Sequence, residues 1–262
     1  MKATNAALLN LAARAALQAG GILRSGFGTS YEISSKAGRQ NLVTAYDKLC
    51  EETIIGAILK TFPDHAFVAE ESGATRKGSS IVWIIDPLDG TVNFAHNIPV
   101  FSVSIAAAID GDVVAGVIYQ PMTQELFVAE KGQGAFLNGI RLQVSTTSHL
   151  DDSFLATGFP YNVDENPLHC IDRFSAFTRK GIPIRRLGSA AIDLAYVAAG
   201  RFDAYWEVTL QPWDVAAGKL IVEEAGGKVT RYDGKSFDIL KPGPIVATNS
   251  VLHATMVKEL FP

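Results

Sequence analysis

Cysteine and runs of basic residues are scarce in this chain, and each scarcity excludes a class of protein. The only cysteines, Cys50 and Cys170, are far apart and form no Cys-x-x-Cys pair. This spacing supports neither a disulfide framework nor a zinc site, and it suits a reducing compartment. The 23 Lys and Arg residues are outnumbered by 27 Asp and Glu residues, and they form no dense basic run. We therefore expect a small substrate rather than direct contact with nucleic acid.

Long apolar runs are also missing. No segment contains the roughly 18 consecutive apolar residues that a membrane span needs. The N-terminal segment comes closest, but Asn10, Arg14 and Gln18 interrupt it at every fourth residue. That pattern is typical of an amphipathic helix and not of a signal peptide. We therefore expect a soluble, cytoplasmic protein with no membrane partner.

The composition that remains is that of a globular enzyme, with 48% hydrophobic and 19% charged residues over 262 positions. Helical periodicity predicts helices over residues 6–22, with a weak point or end at Gly20 and Gly21, and over 44–60, 166–180, 189–200 and 214–225. Strand patterns between residues 66 and 132 predict an antiparallel meander, and the glycine-rich KGQGAFLNG is interpreted as a hairpin without a phosphate role. Helices and strands alternate after residue 145. The predicted fold class is α+β: a single domain, 1–262, whose subdomains, about 1–145 and 146–262, meet at a seam.

Two acids stand at the end of an apolar strand pattern. The run IVWII ends at Asp86, and Asp89 follows three residues later. Two carboxylates at the rim of a core cost free energy through desolvation and repulsion unless a cation lies between them. A turn with Pro87 that points both acids to one side, followed by Gly90 for close backbone approach, is what a phosphate and metal site requires.

Three further acids occupy junctions between an element and a turn, and each has a simpler interpretation. Glu70, after FVA, could be a solvated strand end. Asp47 is spaced from Thr44 as in a capping box, and Asp214 could be the N-cap of the helix that follows it. The functional interpretation gains support because such sites recur along one chain.

The segment Asp86-Pro-Leu-Asp89-Gly-Thr must also be compared with Asp-x-Asp-Gly-Thr, the motif of hydrolases that form an aspartyl-phosphate. Here an extra residue separates the two acids, which breaks the strand alternation of that motif. The motif of those hydrolases is also expected near the N-terminus, whereas Asp86 lies deep in this chain.

The segments FVAEESG, WIIDPLDGTVNFAHNIPVFSVSIA and PWDVAAGKLIVEEAGG resemble the signatures of the inositol monophosphatase family, most closely its bacterial inositol-1-monophosphatase branch. The resemblance covers nearly the whole chain. It implies a Mg²⁺-dependent phosphomonoesterase with a layered α-β-α-β-α sandwich, two or three Mg²⁺ ions per subunit, lithium inhibition and a homodimer.

The resemblance also implies a role for each matching residue. It assigns the metal ligands to Glu70, Asp86, the backbone carbonyl of Leu88, Asp89 and Asp214. It assigns catalysis to Asp47 and Thr91, which orient the attacking water, together with Glu70. It assigns substrate contacts to Asp89, Gly90, Thr91, Arg185, Ala190, Glu207 and Asp214. Two departures stand out: Asn41, where many members carry Asp, and Gln211-Pro212 before Trp213.

The chemistry of these residue types agrees with phosphate ester hydrolysis. Carboxylate and carbonyl oxygens are the ligands that Mg²⁺ prefers, and clustered positive charge beside a phosphate dianion allows water to attack without a covalent enzyme intermediate. The predicted substrate is a small phosphomonoester, most simply myo-inositol monophosphate. Fructose-1,6-bisphosphatase, nucleotide bisphosphatase and histidinol-phosphatase activities remain alternatives within the fold. An alternative of another class is a binding factor with a partner in the transcription machinery.

Overall fold

The computed structural model of the protein describes residues 3–30, 33–35, 42–75 and 78–261. The α-helices are α1 Asn5–Gly26, α2 Ala45–Thr61, α3 Thr91–Ala95, α4 Cys170–Arg179, α5 Ala190–Ala198, α6 Pro212–Glu224 and α7 His253–Leu260. The strands are β1 Ile33–Ser35, β2 Leu42–Thr44, β3 Ala66–Ala69, β4 Gly73–Thr75, β5 Ile81–Asp89, β6 Ser102–Ile109, β7 Asp112–Gln120, β8 Glu125–Glu130, β9 Gly134–Leu137, β10 Ile140–Arg141, β11 Leu155–Thr157, β12 Ile184–Arg185, β13 Ala204–Leu210, β14 Lys228–Thr230 and β15 Gly243–Thr248. Asn41 lies outside the described residues, as does most of the polar segment around it.

These elements stack in five layers. Helices α1 and α2 cover one face of an eight-stranded sheet with the order β10-β9-β8-β7-β6-β5-β3-β4. Helices α5 and α6 lie between that sheet and a five-stranded sheet with the order β12-β11-β13-β15-β14. Helices α4 and α7 cover the far face of the second sheet. This arrangement confirms the α+β, layered α-β-α-β-α fold. The subdomain boundary near residue 145 stays a prediction.

The predicted meander is confirmed in strands β5 to β9, each of which pairs antiparallel with the next. The prediction is wrong for β3, which pairs parallel with β5. The short strand β4 explains the difference. It forms a hairpin with β3 at the sheet edge, so the chain returns to lay β5 on the other side of β3. Because β4 has three residues and no apolar alternation, the sequence pattern does not reveal it.

Helix α1 continues through Gly20 and Gly21, so the prediction of a weak point or end there is wrong. A Cβ atom on Gly20 would lie 2.4 Å from ring atoms of Tyr119 on β7. The glycine therefore permits close packing of helix on sheet. By length and composition α1 could cross a membrane, and 44% of its most apolar window is buried in the structure. Its apolar face packs on α2 and β7, as in a core helix.

Candidate active site

The two acids of β5 share one face of the sheet because the strand contains a bulge. Asp86 pairs with Ser104 and Asp89 pairs with Ser102, so three steps along β5 match two steps along β6. Side chains alternate between the faces of a strand, and an odd spacing would otherwise send the two carboxylates to opposite faces. The bulge directs both toward the layer of α5 and α6, while the buried Leu88 side chain packs in the core beneath α1 and α2.

Asp89 is held from the second half of the chain. Its Oδ2 accepts hydrogen bonds from Ser189 Oγ and from the Ala191 amide, both at 2.7 Å. Ser189 is the N-cap of α5, so the start of this helix binds a carboxylate that belongs to the other sheet. Burial raises the pKa of Asp89 to about 6, against the opposing effect of these hydrogen bonds.

Asp214 lies in the first turn of α6 but is not its N-cap, so that simpler interpretation needs correction. The N-cap is Gln211, whose amide donates to Asp214 Oδ2 at 2.7 Å. Asp214 occupies the third helical position of a capping box. Its pKa lies well above the usual range because the carboxyl is buried and because the charges of Asp89, Glu70 and Glu207 are close.

Glu70 follows β3, and its amide donates to Ile85 O of β5 at 3.2 Å, which brings it beside the end of β5. Its charge is among the causes that raise the pKa of Asp86, after burial and ahead of the charges of Asp89 and Asp214. Asp86 is almost fully buried, and its Oδ1 accepts from the Leu88 amide at 3.0 Å. The four predicted metal-binding carboxylates therefore interact electrostatically, although they come from three separate stretches of the chain.

The predicted catalytic pair, Asp47 and Thr91, is in direct contact. Thr91 Oγ1 donates to Asp47 Oδ1 at 3.0 Å and lies equally close to Leu88 O. Asp47 Oδ2 accepts from the amide and the hydroxyl of Thr44, which is the capping box that the spacing predicts. Burial raises the pKa of Asp47 to about 6. The capping and functional interpretations of this residue are thus compatible.

Gly90 connects β5 to the short helix α3 in a left-handed conformation, with a φ of +98°. A Cβ atom there would lie 3.0 Å from Val100 O and 3.2 Å from Phe101 Cα. This is a close backbone approach of the kind predicted for the position. The use of the Gly90 and Thr91 amides as a phosphate cradle stays a prediction.

Glu207 and Ala190 lie beside this carboxylate cluster. Tyr205 hydroxyl donates to Glu207 Oε2 at 2.5 Å, and the carboxylate packs so closely on Gly158 that a Cβ atom there would lie 1.8 Å from Oε2. Burial raises the pKa of Glu207 to about 7. Ala190 is the buried first residue of α5. No sequence pattern marks Tyr205 or Gly158 as site residues, because they contact Glu207 only in the folded chain.

The guanidinium group of Arg185 makes its contacts outside the carboxylate cluster. It lies 4.9 Å over the ring of Phe154, and its Nη1 donates to Ile184 O at 3.2 Å. Its role as a substrate contact stays a prediction. The arginine whose charge opposes the raised pKa values of Glu207 and of the buried Asp193 is the neighbouring Arg186. Arg186 is not predictable from the sequence, since an Arg-Arg pair gives no sign of which member faces the site.

The residues fit Mg²⁺ in donor type and charge. Carboxylate oxygens and a backbone carbonyl are the hard donors that this ion prefers, and clustered acids that raise one another's pKa gain from a cation. Within the described part of the chain, however, no group of three or more His, Cys, Asp or Glu side chains is arranged so that it could hold a metal ion as it stands. Mg²⁺ usually keeps several waters and needs only one or two carboxylates from a protein, so the donor types present remain compatible with this ion.

Comparison with known proteins decides the family. The model of the inositol monophosphatase family matches residues 4–260. The chain belongs to the inositol monophosphatase family. Membership supports a phosphatase, in agreement with the resemblance that the sequence motifs carry.

Individual relatives have different names. The chain is 45% identical over 255 residues to "Nus factor SuhB" of Escherichia coli strain K12, across 97% of this chain and 95% of that protein. It is 42% identical to the solved structure of inositol monophosphatase from Anabaena (Nostoc) sp. PCC 7120, with a TM-score of 0.85 and coverage of 97% and 95%. A structure described as "IMPase/NADP phosphatase complexed with Mg2+ and phosphate" has 28% identity, a TM-score of 0.82 and coverage of 93% and 91%.

Proposed function

We propose that the protein is a Mg²⁺-dependent phosphatase of small phosphomonoesters, with myo-inositol monophosphate as the preferred substrate, that acts in the cytoplasm as a homodimer. The observation that carries this proposal is the bulge in β5, which aims Asp86 and Asp89 at the layer that contains Asp214. The relative that was solved with Mg²⁺ and phosphate supports the choice of ion.

The proposed ligands are the carboxylates of Glu70, Asp86, Asp89 and Asp214 and the carbonyl of Leu88, for two or three Mg²⁺ ions. When bound, Mg²⁺ lowers the pKa of water and stabilises charge on the transferred phosphoryl group and the leaving oxygen. The amides of Gly90 and Thr91 form a backbone cradle for the phosphate. Asp89 and Asp214 also contact the substrate.

Asp47 and Thr91 position the attacking water. Thr91 has one hydroxyl hydrogen, which it donates to Asp47 or to Leu88 O, so that an oxygen lone pair faces the water and accepts a hydrogen bond from it. Asp47, held by Thr44, takes the hydroxyl proton of Thr91 as Thr91 Oγ1 takes a proton from the attacking water. Glu70 orients the water from the opposite side. The nucleophile is water, and no covalent enzyme intermediate forms.

The alcohol group of the substrate is recognised at the other end of the site. Glu207 accepts hydrogen bonds from substrate hydroxyl groups, in an orientation that is fixed by Tyr205. Ala190 supplies a small surface beside it, and Arg185 contacts the substrate from the rim. A polar acceptor beside a small residue suits a polyol better than an apolar alcohol.

Phosphate release from a substrate panel tests this proposal. We expect Mg²⁺-dependent turnover that is highest on myo-inositol 1-phosphate and that is inhibited by Li⁺. Asp89→Asn should reduce this turnover by several orders of magnitude, because Asp89 loses the negative charge with which it binds the metal and orients the substrate. Asp151→Asn, at an exposed position, is the matched control. Wild-type turnover by Asp89→Asn would contradict the proposal. Highest turnover on fructose 1,6-bisphosphate, a nucleotide bisphosphate or histidinol phosphate would reassign the substrate.

A second candidate function is a binding role in the transcription machinery. The observation that favours it is the 45% identity to a protein named Nus factor SuhB. Affinity purification of the tagged protein from its native cells tests this candidate. Capture of RNA polymerase by both wild type and Asp89→Asn, with normal growth of the variant strain, would support it. Loss of growth in the Asp89→Asn strain would instead assign the main role to catalysis.

A further inference from the structure

Glu51 is a buried acid whose two oxygens are committed to a turn of the main chain. It lies on α2 with 4% exposure. Its Oε2 accepts from the Glu71 amide and its Oε1 from the Ser72 amide, both at 2.8 Å. A buried carboxylate is costly unless it is fully hydrogen-bonded, and these two charge-assisted bonds meet that need. The two amides come directly after Glu70.

The same helix also holds the other side of the site. Asp47 and Glu51 are four residues apart, which places both on one face of α2. Asp47 accepts the hydrogen bond of Thr91, while Glu51 holds the turn that carries Glu70. Helix α2 therefore helps to set the positions of both Thr91 and Glu70, which lie 21 residues apart in the chain.

The turn at residues 70–72 needs the hydrogen bonds of Glu51 because electrostatic repulsion acts on the Glu70 side chain that it carries. Burial is the largest cause of the raised pKa values of Asp86 and Asp214, and the charges of the neighbouring carboxylates raise them further, which reflects repulsion within the cluster. Gly73 closes the turn by pairing with Ala69, in a left-handed conformation with a φ of +72° that glycine permits. Without the hydrogen bonds of Glu51, the turn is held only at its base, by the pairing of Ala69 with Gly73 and by the bond from the Glu70 amide to Ile85 O, so that its tip and the Glu70 side chain can shift relative to the other carboxylates.

We propose that Glu51 is a positioning residue that sets the divalent cation affinity of the site by fixing the backbone of residues 70–72. The inference rests on the proposed function, because it treats Glu70 as a metal ligand. It differs from a purely structural role, in which Glu51 would stabilise the fold without affecting how tightly the cation binds.

Titration calorimetry of Mg²⁺ into the metal-free, full-length protein tests the proposal. We expect Glu51→Gln to raise the Kd for Mg²⁺ by about 10- to 100-fold, as for other residues that orient metal ligands. The amide replaces one acceptor with a donor that faces a backbone N–H group, so one of the two hydrogen bonds is lost. At saturating Mg²⁺, kcat should stay within a few-fold of wild type. Glu52→Gln, an exposed neighbour on the same helix, should change neither value.

Thermal melting of the metal-free variants separates positioning from stability. A lower Tm with an unchanged Kd in Glu51→Gln would overturn the proposal. If Glu51→Gln does not fold, Glu51→Asp keeps the charge but shortens its reach, and it must still raise the Kd. An unchanged Kd in a folded Glu51→Asp would then overturn the proposal. If the wild type itself binds no Mg²⁺, the proposed function fails first; if it binds Mg²⁺ and the variants match it, only the inference about Glu51 fails.

Discussion

His253 shows how a single buried residue links the stability of this protein to pH. Its Nε2 lies 2.9 Å from Thr230 Oγ1 and its Nδ1 lies 3.0 Å from Thr248 Oγ1, so the ring joins α7 to β14 and β15. Burial lowers its pKa to about 4, and the charge of Lys228 acts in the same direction. The native state therefore favours the neutral ring.

We predict that this histidine reduces stability in acid. The pKa of an unfolded histidine is higher, so below about pH 6.5 the unfolded chain binds a proton that the native chain does not. The contribution of the neutral ring to stability is thus complete above about pH 6.5 and is lost as the pH falls toward 4, by about 3 kcal/mol in total. Urea unfolding of wild type and His253→Gln across this range measures it. The advantage of wild type should shrink as the pH falls, and a constant difference would contradict the prediction.

At the scale of elements, α6 is positioned by two contacts in which a glycine allows a neighbouring element to approach closely. A Cβ atom on Gly116 of β7 would lie 2.9 Å from Ala217 O of α6. A Cβ atom on Gly218 of α6 would lie 2.5 Å from Leu194 of α5. The helix that carries Asp214 is therefore fixed on both sides.

We predict that Gly116→Ala lowers the free energy of unfolding by about 1–3 kcal/mol, because the methyl group meets backbone atoms that cannot rotate away. Gly56→Ala is the matched control, since Gly56 is exposed on α2 and a Cβ atom there would meet no neighbouring group within 4 Å. The control should stabilise the protein by about 0.5–1 kcal/mol through helix propensity. Denaturant unfolding measures both, and equal stability of Gly116→Ala and wild type would show that α6 can shift.

The end of β5 stores electrostatic repulsion. We predict that Asp86→Asn raises the Tm of the metal-free protein at pH 8. Burial, and then the charges of Glu70, Asp89 and Asp214, raise the pKa of Asp86, so that above the pKa of the unfolded chain this carboxyl destabilises the native state. Asn keeps the oxygen that accepts from the Leu88 amide. Mg²⁺ should raise the Tm of wild type but not that of the variant. Scanning calorimetry with and without Mg²⁺ measures this, and a lower Tm in the metal-free variant would contradict the prediction.

At the scale of the whole molecule, the candidate site joins the two sheets. Ser189 and the Ala191 amide from the second half of the chain hold Asp89 in the first. Ser104 Oγ donates to Trp213 O at 3.2 Å, and Asn93 Nδ2 donates to Leu187 O at 2.8 Å. Neither sheet completes the site alone.

We therefore predict a single cooperative unfolding transition in which activity and tertiary structure are lost together. Hydrogen bonds connect the two halves of the chain, and both sheets pack on the shared layer of α5 and α6. These contacts couple the unfolding of one half to that of the other. Urea titration followed by phosphate release and by near-ultraviolet circular dichroism measures this. Loss of activity at a lower urea concentration than the loss of tertiary signal would indicate that the halves separate first.

The sequence predicts the features of this protein that depend on near neighbours. The capping box of Thr44 and Asp47 spans three residues, and the short turns between consecutive apolar runs predict the antiparallel pairing of β6 to β8. Features that depend on distant partners are not predictable in this way. The register shift that aligns Asp86 with Asp89 is defined only by pairing with β6. The hydrogen bonds that Glu51 accepts join residues about twenty positions apart in the sequence, and Gly20 packs on Tyr119, about a hundred positions away.

The position of Trp213 has an optical consequence. Trp83 and Trp206 are fully buried, whereas Trp213 is only partly buried and directly precedes Asp214 in the first turn of α6. Its indole is thus the most solvent-accessible of the three and belongs to the same helical turn as Asp214, whereas the other two rings are enclosed by the protein. A cation that draws in Asp214 would alter the environment of this one ring. The intensity or wavelength of its emission can then report site occupancy without any attached dye.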